Sequence, residues 1–533
     1  MRHKSVTRKK PKALPTVPTS TYDAFAQLLR EVLSEDHSFK ADYLLRTFES
    51  KLLDGNTSES AAVRRSRAIE KWLATEERNR LTNQRIYLAN EEDFLFLDAG
   101  GFPVFAPEFI QWCSSSILSL LGENIPWDEL SGSFSGGACT SVRRGVGMIS
   151  KKYQEGKHIT LDAIPHFLRL TQSVHEMPRD FELLGHNVMF TVPKSSEIDR
   201  CACKEPDLNM YCQKAVGDYI RRRLKTVGVD LNDQSLNQRL ARQGSIDNSL
   251  ATVDLSSASD SVTTQLVISF LPFEWSSLLL DLRSPSTEID GSIHVNEMIS
   301  SMGNAFTFEL ESLLFWTLAR GCAYFTRTKG RISVYGDDII CPSGLHDSLN
   351  SVLEFFGFVP NETKSFWTGP FRESCGKHWF SGVDVSPFYV KKRPTSISDW
   401  CLLLNSLRKW ADDKGRTSFG ICDPRYWPIW ELFSDVVPRP LHGGRDTSRR
   451  DTLVRPGLRC VARVVPKQHR ERRIEMSYEL GSYLAWLDTT KDRDSVGVTR
   501  EHRFTRDGEE VLRRASPDVF VTGIPQFPQE IGE

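Results

Sequence analysis

Apolar residues recur at helical spacing from the start of the foldable chain, where Tyr22, Phe25, Leu28, Leu29, Val32 and Leu33 mark one face and Thr21 reads as the N-cap. Much of 40 to 185 keeps this spacing between polar loops. The Gly/Ser-rich stretch 131–147 lacks the Gly-Lys-Ser/Thr ending of a phosphate-cradling loop, so it reads as an ordinary connection. From about 190 onward, short β-like runs alternate with helical ones. Ile332 and Val334 lead into Tyr335-Gly336-Asp337-Asp338, and Ile339, Ile340 and Cys341 leave it, which predicts strand, tight turn, strand. Leu345, Leu349, Val352, Leu353 and Phe356 predict a helix ended by Gly357, and Phe306, Leu310, Leu313, Leu314 and Leu318 predict another. Strands interleaved with helices on this scale imply an α+β fold, an antiparallel sheet with helices on one face. Pro272, Glu274, Glu311 and Arg320 interrupt the most apolar windows, so no membrane span is expected.

Composition narrows the class. The 533 residues are 39% hydrophobic and 26% charged, which fits a large multi-lobed globular protein and excludes fibrous or generally disordered chains. Eleven cysteines, an odd number, and no signal-like N-terminal apolar stretch suggest a reduced, cytosolic protein. Cys201, Cys203 and Cys212 have poor spacing for structural zinc and read as buried thiols. The net charge of -1 alone argues against a nucleic-acid binder, yet the local balance is uneven. Residues 1–21 carry six basic groups and no acid, 439–473 sum to +8, and 474–533 sum to -5. The first of these reads as a basic flexible arm.

The acids of the hairpin carry the chemistry. Two adjacent carboxylates at the end of rigid strands repel one another unless a cation neutralises them. Ala251, Thr252 and Val253 lead into a third acid, Asp254, expected at a strand end beside the hairpin tip. Hard carboxylate oxygens from separate strands suit Mg²⁺, and two such ions can clamp an in-line phosphoryl displacement.

These acids in their surroundings resemble the palm motifs of RNA-directed RNA polymerases. The segments "VPKSSEIDRCACKEPDLNMYCQK", "IRRRLKTVGVDLNDQSLNQRLARQGS", "LATVDLSSASDS", "SMGNAFTFELES", "YGDDIICPS" and "FRESCGKHWFSGVDVSPFYVKK" are similar to the replicase subunit of the small positive-strand RNA bacteriophages, the leviviral family. The similarity is dense from about 190 to 395. It implies a right-hand polymerase: a basic arm over 1–21, an N-terminal helical region and fingers over 22–245, palm over 246–265 and 301–395, a fingers insertion over 266–300, and thumb and tail over 396–533.

The resemblance also implies roles. Asp254, Asp337 and Asp338 would hold two Mg²⁺ ions, with Mn²⁺ as a substitute, and Lys364 would protonate the pyrophosphate leaving group. Asp260, Ser301 and Asn304 would contact the ribose, although the common pattern has Asn where this chain has Glu311. Lys194, Arg200 and Lys204 would meet the triphosphate. Arg449, Arg450, Arg455, Arg459 and Arg463 would track RNA phosphates. Template and product RNA and ribonucleoside triphosphates are the implied ligands. Host elongation factors Tu and Ts, and for some templates a ribosomal protein and an RNA chaperone, are the implied partners, in the cytoplasm of an infected bacterium.

Overall fold

The computed structural model describes residues 16–53, 61–142, 149–172, 174, 177, 180–194, 198–412, 422–443, 447–448, 450–455, 463–466 and 472–475. The chain forms two compact units, Met1–Gly55 with Pro387–Glu533, and Asn56–Ser386.

In the first unit, helix α1 (Thr19–Glu35) begins two residues before the predicted cap. Pro18, at φ -58° and ψ 142°, precedes it, and no side chain caps its amides. Proline presets the entry angle and needs no capped N–H of its own, so the serine and threonine residues that follow are free to be helical. The predicted stripe is buried at Tyr22, Phe25, Leu29 and Leu33. A second helix, α2 (Phe39–Thr47), is capped by Ser38 Oγ, which accepts from the Ala41 amide. The stripe of α1 meets aromatics from far along the chain: the Phe25 ring lies 6.0 Å from Trp400 and 5.3 Å from Phe433. Tyr426 Oη donates to Asp36 at 2.6 Å. Residues 22–53, grouped with 22–245 from sequence, thus pack with the C-terminal part, because local periodicity says which face is apolar but not what covers it.

The second unit opens with α3 (Ala61–Tyr87). Strands β1 (His186–Pro193) and β2 (Asp199–Lys204) pair antiparallel, and two further strands, Ser286–Ile289 and Ser292–Val295, extend that sheet beside β1. Helices α4 (Asp207–Thr226) and α5 (Ser235–Asp247) follow, then β3 (Leu250–Val253). Helix α6 (Thr307–Phe325) precedes the predicted hairpin, β4 (Ser333–Tyr335) and β5 (Asp338–Pro342), and helix α7 (His346–Phe355) follows it. The central sheet has the order β4, β5, β3, antiparallel throughout, with Tyr335 opposite Asp338 and Val253 opposite Ile339.

Strand alternation sorts the side chains of this sheet. Val334, Ile339, Cys341, Ala251 and Val253 join the main core with Leu310, Leu313, Leu314 and Leu318 of α6 and Leu349, Val352 and Leu353 of α7. Each fully buried leucine of that set contributes about 1.5–3 kcal/mol. Ile340 and Leu250 point the other way, onto Leu240 and Ala241 of α5. The α+β class and antiparallel sheet are as expected, with the helical layer on one face, and α5 adds a second layer that the sequence pattern did not indicate. Two more strands, β6 (Phe371–Ser374) and β7 (Lys377–Phe380), form a hairpin beyond the sheet. Cys201 and Cys203 are buried in a small cluster with Trp72 and Met189, and Cys212 in the main core. Among the described residues no helix is long and apolar enough to cross a membrane.

Candidate active site

A cavity of about 510 Å³ in the second unit gathers side chains from α3, β2, the end of β3, the segment before α6, the hairpin tip and the turn after α7. Asp337 sits at the two-residue tip between β4 and β5. Gly336, at φ 62°, takes the left-handed first position such a turn favours, and a Cβ there would meet the Phe308 ring at 2.5 Å. The Gly336 amide donates to Ser312 Oγ at 2.9 Å, seating the tip on α6. Asn237 of α5 braces the hairpin from below: it accepts from Ser333 Oγ at 2.6 Å and donates to the Asp338 carbonyl at 3.1 Å.

Asp254 follows β3 and is held by the turn over 361–365. The Asn361 amide donates to its carbonyl at 2.8 Å, and its own amide donates to Ser365 Oγ at 3.2 Å. Lys364 Nζ donates to Asp254 Oδ2 at 3.0 Å. Burial disfavours the Lys364 charge, but Asp254 outweighs that and holds its pKa above the ordinary value. Burial, and then the Asp254 charge, push Asp337 upward. Asp254 and Asp337 therefore form a like-charged pair facing one cavity, with hard oxygen donors of the kind Mg²⁺ takes. Among the described residues no three His, Cys, Asp or Glu side chains form a closed ligand set. Asp338 turns away from the cavity, where Ser374 Oγ and the Cys375 amide donate to its carboxylate at 3.3 and 3.2 Å. Burial, with Asp337 adjacent, pushes it up to about 7.

Asp260 lies in a short 3₁₀ turn (Ser259–Ser261) and lines the same cavity. Burial, and then the Glu76 charge, push it up to about 7, while Arg200 and a hydrogen bond from the Met302 amide pull the other way. Its Oδ1 is buried without a partner. Asn304 Oδ1 accepts from the Phe306 amide at 3.0 Å, in the turn just ahead of α6, and its Nδ2 is a buried donor without a partner, on a residue that lines the cavity. Gly303, at φ 138°, lets this turn touch β2, since a Cβ would fall 2.0 Å from the Cys203 carbonyl oxygen. Ser301 does not line the cavity; its hydroxyl donates to Glu205 at 3.4 Å behind it.

Lys194 and Arg200 line the cavity, and Lys204 does not; its ammonium lies 5.7 Å from the Phe190 ring centroid. Burial and the neighbouring Arg200 and Lys364 charges push Lys194 down to about 8. In the first unit, Arg455 pairs with Glu431 and lies over the Trp430 ring, and Arg450 is exposed. Arg449 and Arg459 lie outside the described residues, as does the side chain of Arg463.

Two cavity residues escaped the sequence reading. Lys71 of α3 joins Lys194, Arg200 and Lys364 at the wall, from more than 120 positions before the next of them, and no local pattern marks it. Glu311 of α6 was noticed only as a departure from the common motif. It is buried on the cavity wall, and burial and then Asp337 push its carboxyl well above the usual range.

The model of the family described as "RNA replicase, beta-chain" matches residues 17–521. The chain belongs to this family. It is 40% identical over 528 residues to the RNA-directed RNA polymerase beta chain of Enterobacteria phage fr, covering 92% of this chain and 90% of that one. Against the RNA-directed RNA polymerase subunit beta of Escherichia virus Qbeta it is 40% identical over 462 residues, 84% of this chain and 76% of that one. Among solved structures, the RNA-dependent RNA polymerase of a human picorbirnavirus aligns with 80% of the chain and 85% of its own length, at 10% identity and a TM-score of 0.45. As a member of the replicase beta-chain family, the protein is an RNA-directed RNA polymerase.

Proposed function

We propose that this polymerase copies an RNA template by Mg²⁺-dependent nucleotidyl transfer from ribonucleoside triphosphates, replicating and transcribing a positive-strand RNA phage genome. The observation that carries the reading is the meeting of Asp254, Asp260 and Asp337 with Lys71, Lys194, Arg200 and Lys364 around one cavity. Acids that need a cation stand beside cations that suit a polyphosphate.

The RNA 3′-hydroxyl attacks the α-phosphate, the bond to the bridging oxygen breaks, and pyrophosphate leaves. Asp254 and Asp337 would hold Mg²⁺, which when bound lowers the hydroxyl's pKa and offsets charge on the phosphates. Asp338, held by Ser374 and Cys375, fixes the direction of its neighbour Asp337. Lys194, Arg200 and Lys71 attract and orient the triphosphate. Lys364, kept charged by Asp254, is the proton donor to the departing pyrophosphate. Asp260 and Asn304 read the ribose, each presenting a buried polar atom that has no protein partner. Lys204 and Ser301 act from outside the cavity wall on this reading.

The second unit then supplies fingers and palm, and residues 396–533 the thumb, whose basic stretch, including Arg449, Arg450, Arg455, Arg459 and Arg463, tracks RNA. Elongation factors Tu and Ts, a ribosomal protein and an RNA chaperone are partners proposed from the family alone, with the infected host's cytoplasm as the setting. The test is incorporation of labelled ribonucleotides on an RNA template with Mg²⁺, by the chain purified with whatever host proteins accompany it. Asp337→Asn should abolish incorporation and leave RNA binding unchanged. Retained synthesis in that variant would sink the reading.

A further inference from the structure

Behind the cavity lies a carboxylate that the chemistry above does not use. Glu205, between β2 and α4, is 1% exposed, and four neutral donors surround it. Asn187 Nδ2 and Ser301 Oγ reach Oε1 at 2.7 and 3.4 Å, and Gln213 Nε2 and Ser284 Oγ reach Oε2 at 3.2 and 2.9 Å. A buried acid is costly, and burial pushes the Glu205 carboxyl up, a shift that the hydrogen bonds from Asn187, Ser284, Gln213 and Ser301 offset only in part.

Two of those partners lead to the same short turn. Ser301 begins it. Gln213 closes it, because the amide whose nitrogen donates to Glu205 accepts, through Oε1, from the Ala305 backbone N–H at 3.1 Å. The same Gln213 nitrogen donates to the Leu282 carbonyl at 2.8 Å, so its orientation is fixed from two sides. Between these ends lie the Met302 amide, which bonds Asp260, then Gly303 against the Cys203 carbonyl, and Asn304 with its unpartnered Nδ2.

We propose that Glu205 is a positioning residue for ribose selection, its carboxyl accepting from Ser301 and Gln213 and so pinning both ends of the 301–305 turn so that the Met302 amide and Asn304 stay aligned with Asp260. This rests on the polymerase reading. Without the pin, the turn keeps its packing on β2 but gains freedom at the two donors nearest the sugar, so the loss falls on the distinction between ribose and deoxyribose.

The test compares Glu205→Met, which removes both acceptors, with Gln213→Met, which frees only the Ala305 end, and with Ser284→Ala. Ser284 donates to the same carboxylate but has no tie to the turn, so its variant controls for general disturbance of the buried network. Two readouts are taken: the ratio of kcat/KM for GTP over dGTP on an RNA template, and hydrogen–deuterium exchange across residues 301–306. Glu205→Met and Gln213→Met should each lower the ratio about five-fold or more and speed exchange, as expected for losing a buried hydrogen bond at a selective site, while Ser284→Ala leaves both near wild type. Should Glu205→Met fail to fold, Gln213→Met carries the decision. An unchanged ratio with unchanged exchange, or an equal fall in Ser284→Ala, overturns the assignment. A wild-type chain that incorporates no ribonucleotide would instead sink the polymerase reading, and exchange over 301–306 would still decide whether Glu205 holds the turn.

Discussion

Asp260→Asn should make the protein more stable at alkaline pH and a poorer enzyme. Asp260 is pushed up to about 7 from an ordinary 3.8, chiefly by burial. Between those values the folded state binds a proton that the unfolded chain does not, so stability falls as pH rises through that window and the full cost is reached above about pH 7. Each unit is about 1.4 kcal/mol, giving an upper figure of about 4 kcal/mol that a neutral isostere recovers. The new amide partly offsets this. Asp260 Oδ1 already lacks a partner, and an orphaned buried amide there costs about 1–3 kcal/mol. A net gain of about 1–3 kcal/mol at pH 8, turning into a net loss of about 1–3 kcal/mol near pH 4, is expected, roughly one to four degrees in melting temperature either way. Melts of both proteins in chelator at pH 5, 6.5 and 8 measure it, alongside kcat/KM for ribonucleotides, which should fall. A stability difference that is flat with pH, or an Asn variant less stable at pH 8 than at pH 5 relative to wild type, would refute the reasoning.

Other variants test other parts of the frame. Arg372 is fully buried and donates to the carbonyls of Leu250, Trp367, Thr368, Gly369 and Phe371 and to Asn248 Oδ1, so Arg372→Lys, with three donors and no planar fork, should destabilise by about 3–5 kcal/mol in denaturant melts. A cost under about 1 kcal/mol would mean those carbonyls find other partners. Gly303→Ala should slow incorporation sharply, because its Cβ would meet the Cys203 carbonyl at 2.0 Å; wild-type kinetics would show that the turn has room to shift. Lys194, at about 8, should take up a proton when a triphosphate binds near pH 8. Calorimetry in buffers of different ionisation enthalpy should detect that uptake and lose it in Lys194→Met.

The legible parts of this molecule were those written locally. The hairpin at Asp337, the strand before Asp254 and the buried stripes of α6 and α7 follow from alternation, a glycine turn and helical spacing, and the structure has them where the pattern put them. What sequence did not convey was pairing across long separations. Lys71 reaches the cavity because Glu76 and Asn83, on the same helix, bind the backbone at Glu297 and Met298, and Asn79 donates to the Asp260 carbonyl at 2.6 Å. Side-chain direction was equally silent: Ser301 and Asn304 stand three positions apart, yet only Asn304 lines the cavity. Asp337 and Asp338, adjacent in the chain, face opposite ways because β5 begins between them.

That bracing of the hairpin by Asn237 should also constrain which hybrids of related replicases can work. Its side chain accepts from Ser333 and donates to Asp338, so one amide, about a hundred positions upstream, sets the spacing of both strands. A recombinant genome joined anywhere between codons 237 and 333 takes Asn237 from one parent and the hairpin from the other. Such crossovers should survive when both parents keep Asn237 and Ser333 and fail when one has drifted, since residue 338 takes part only through its backbone carbonyl, even with every residue lining the cavity intact.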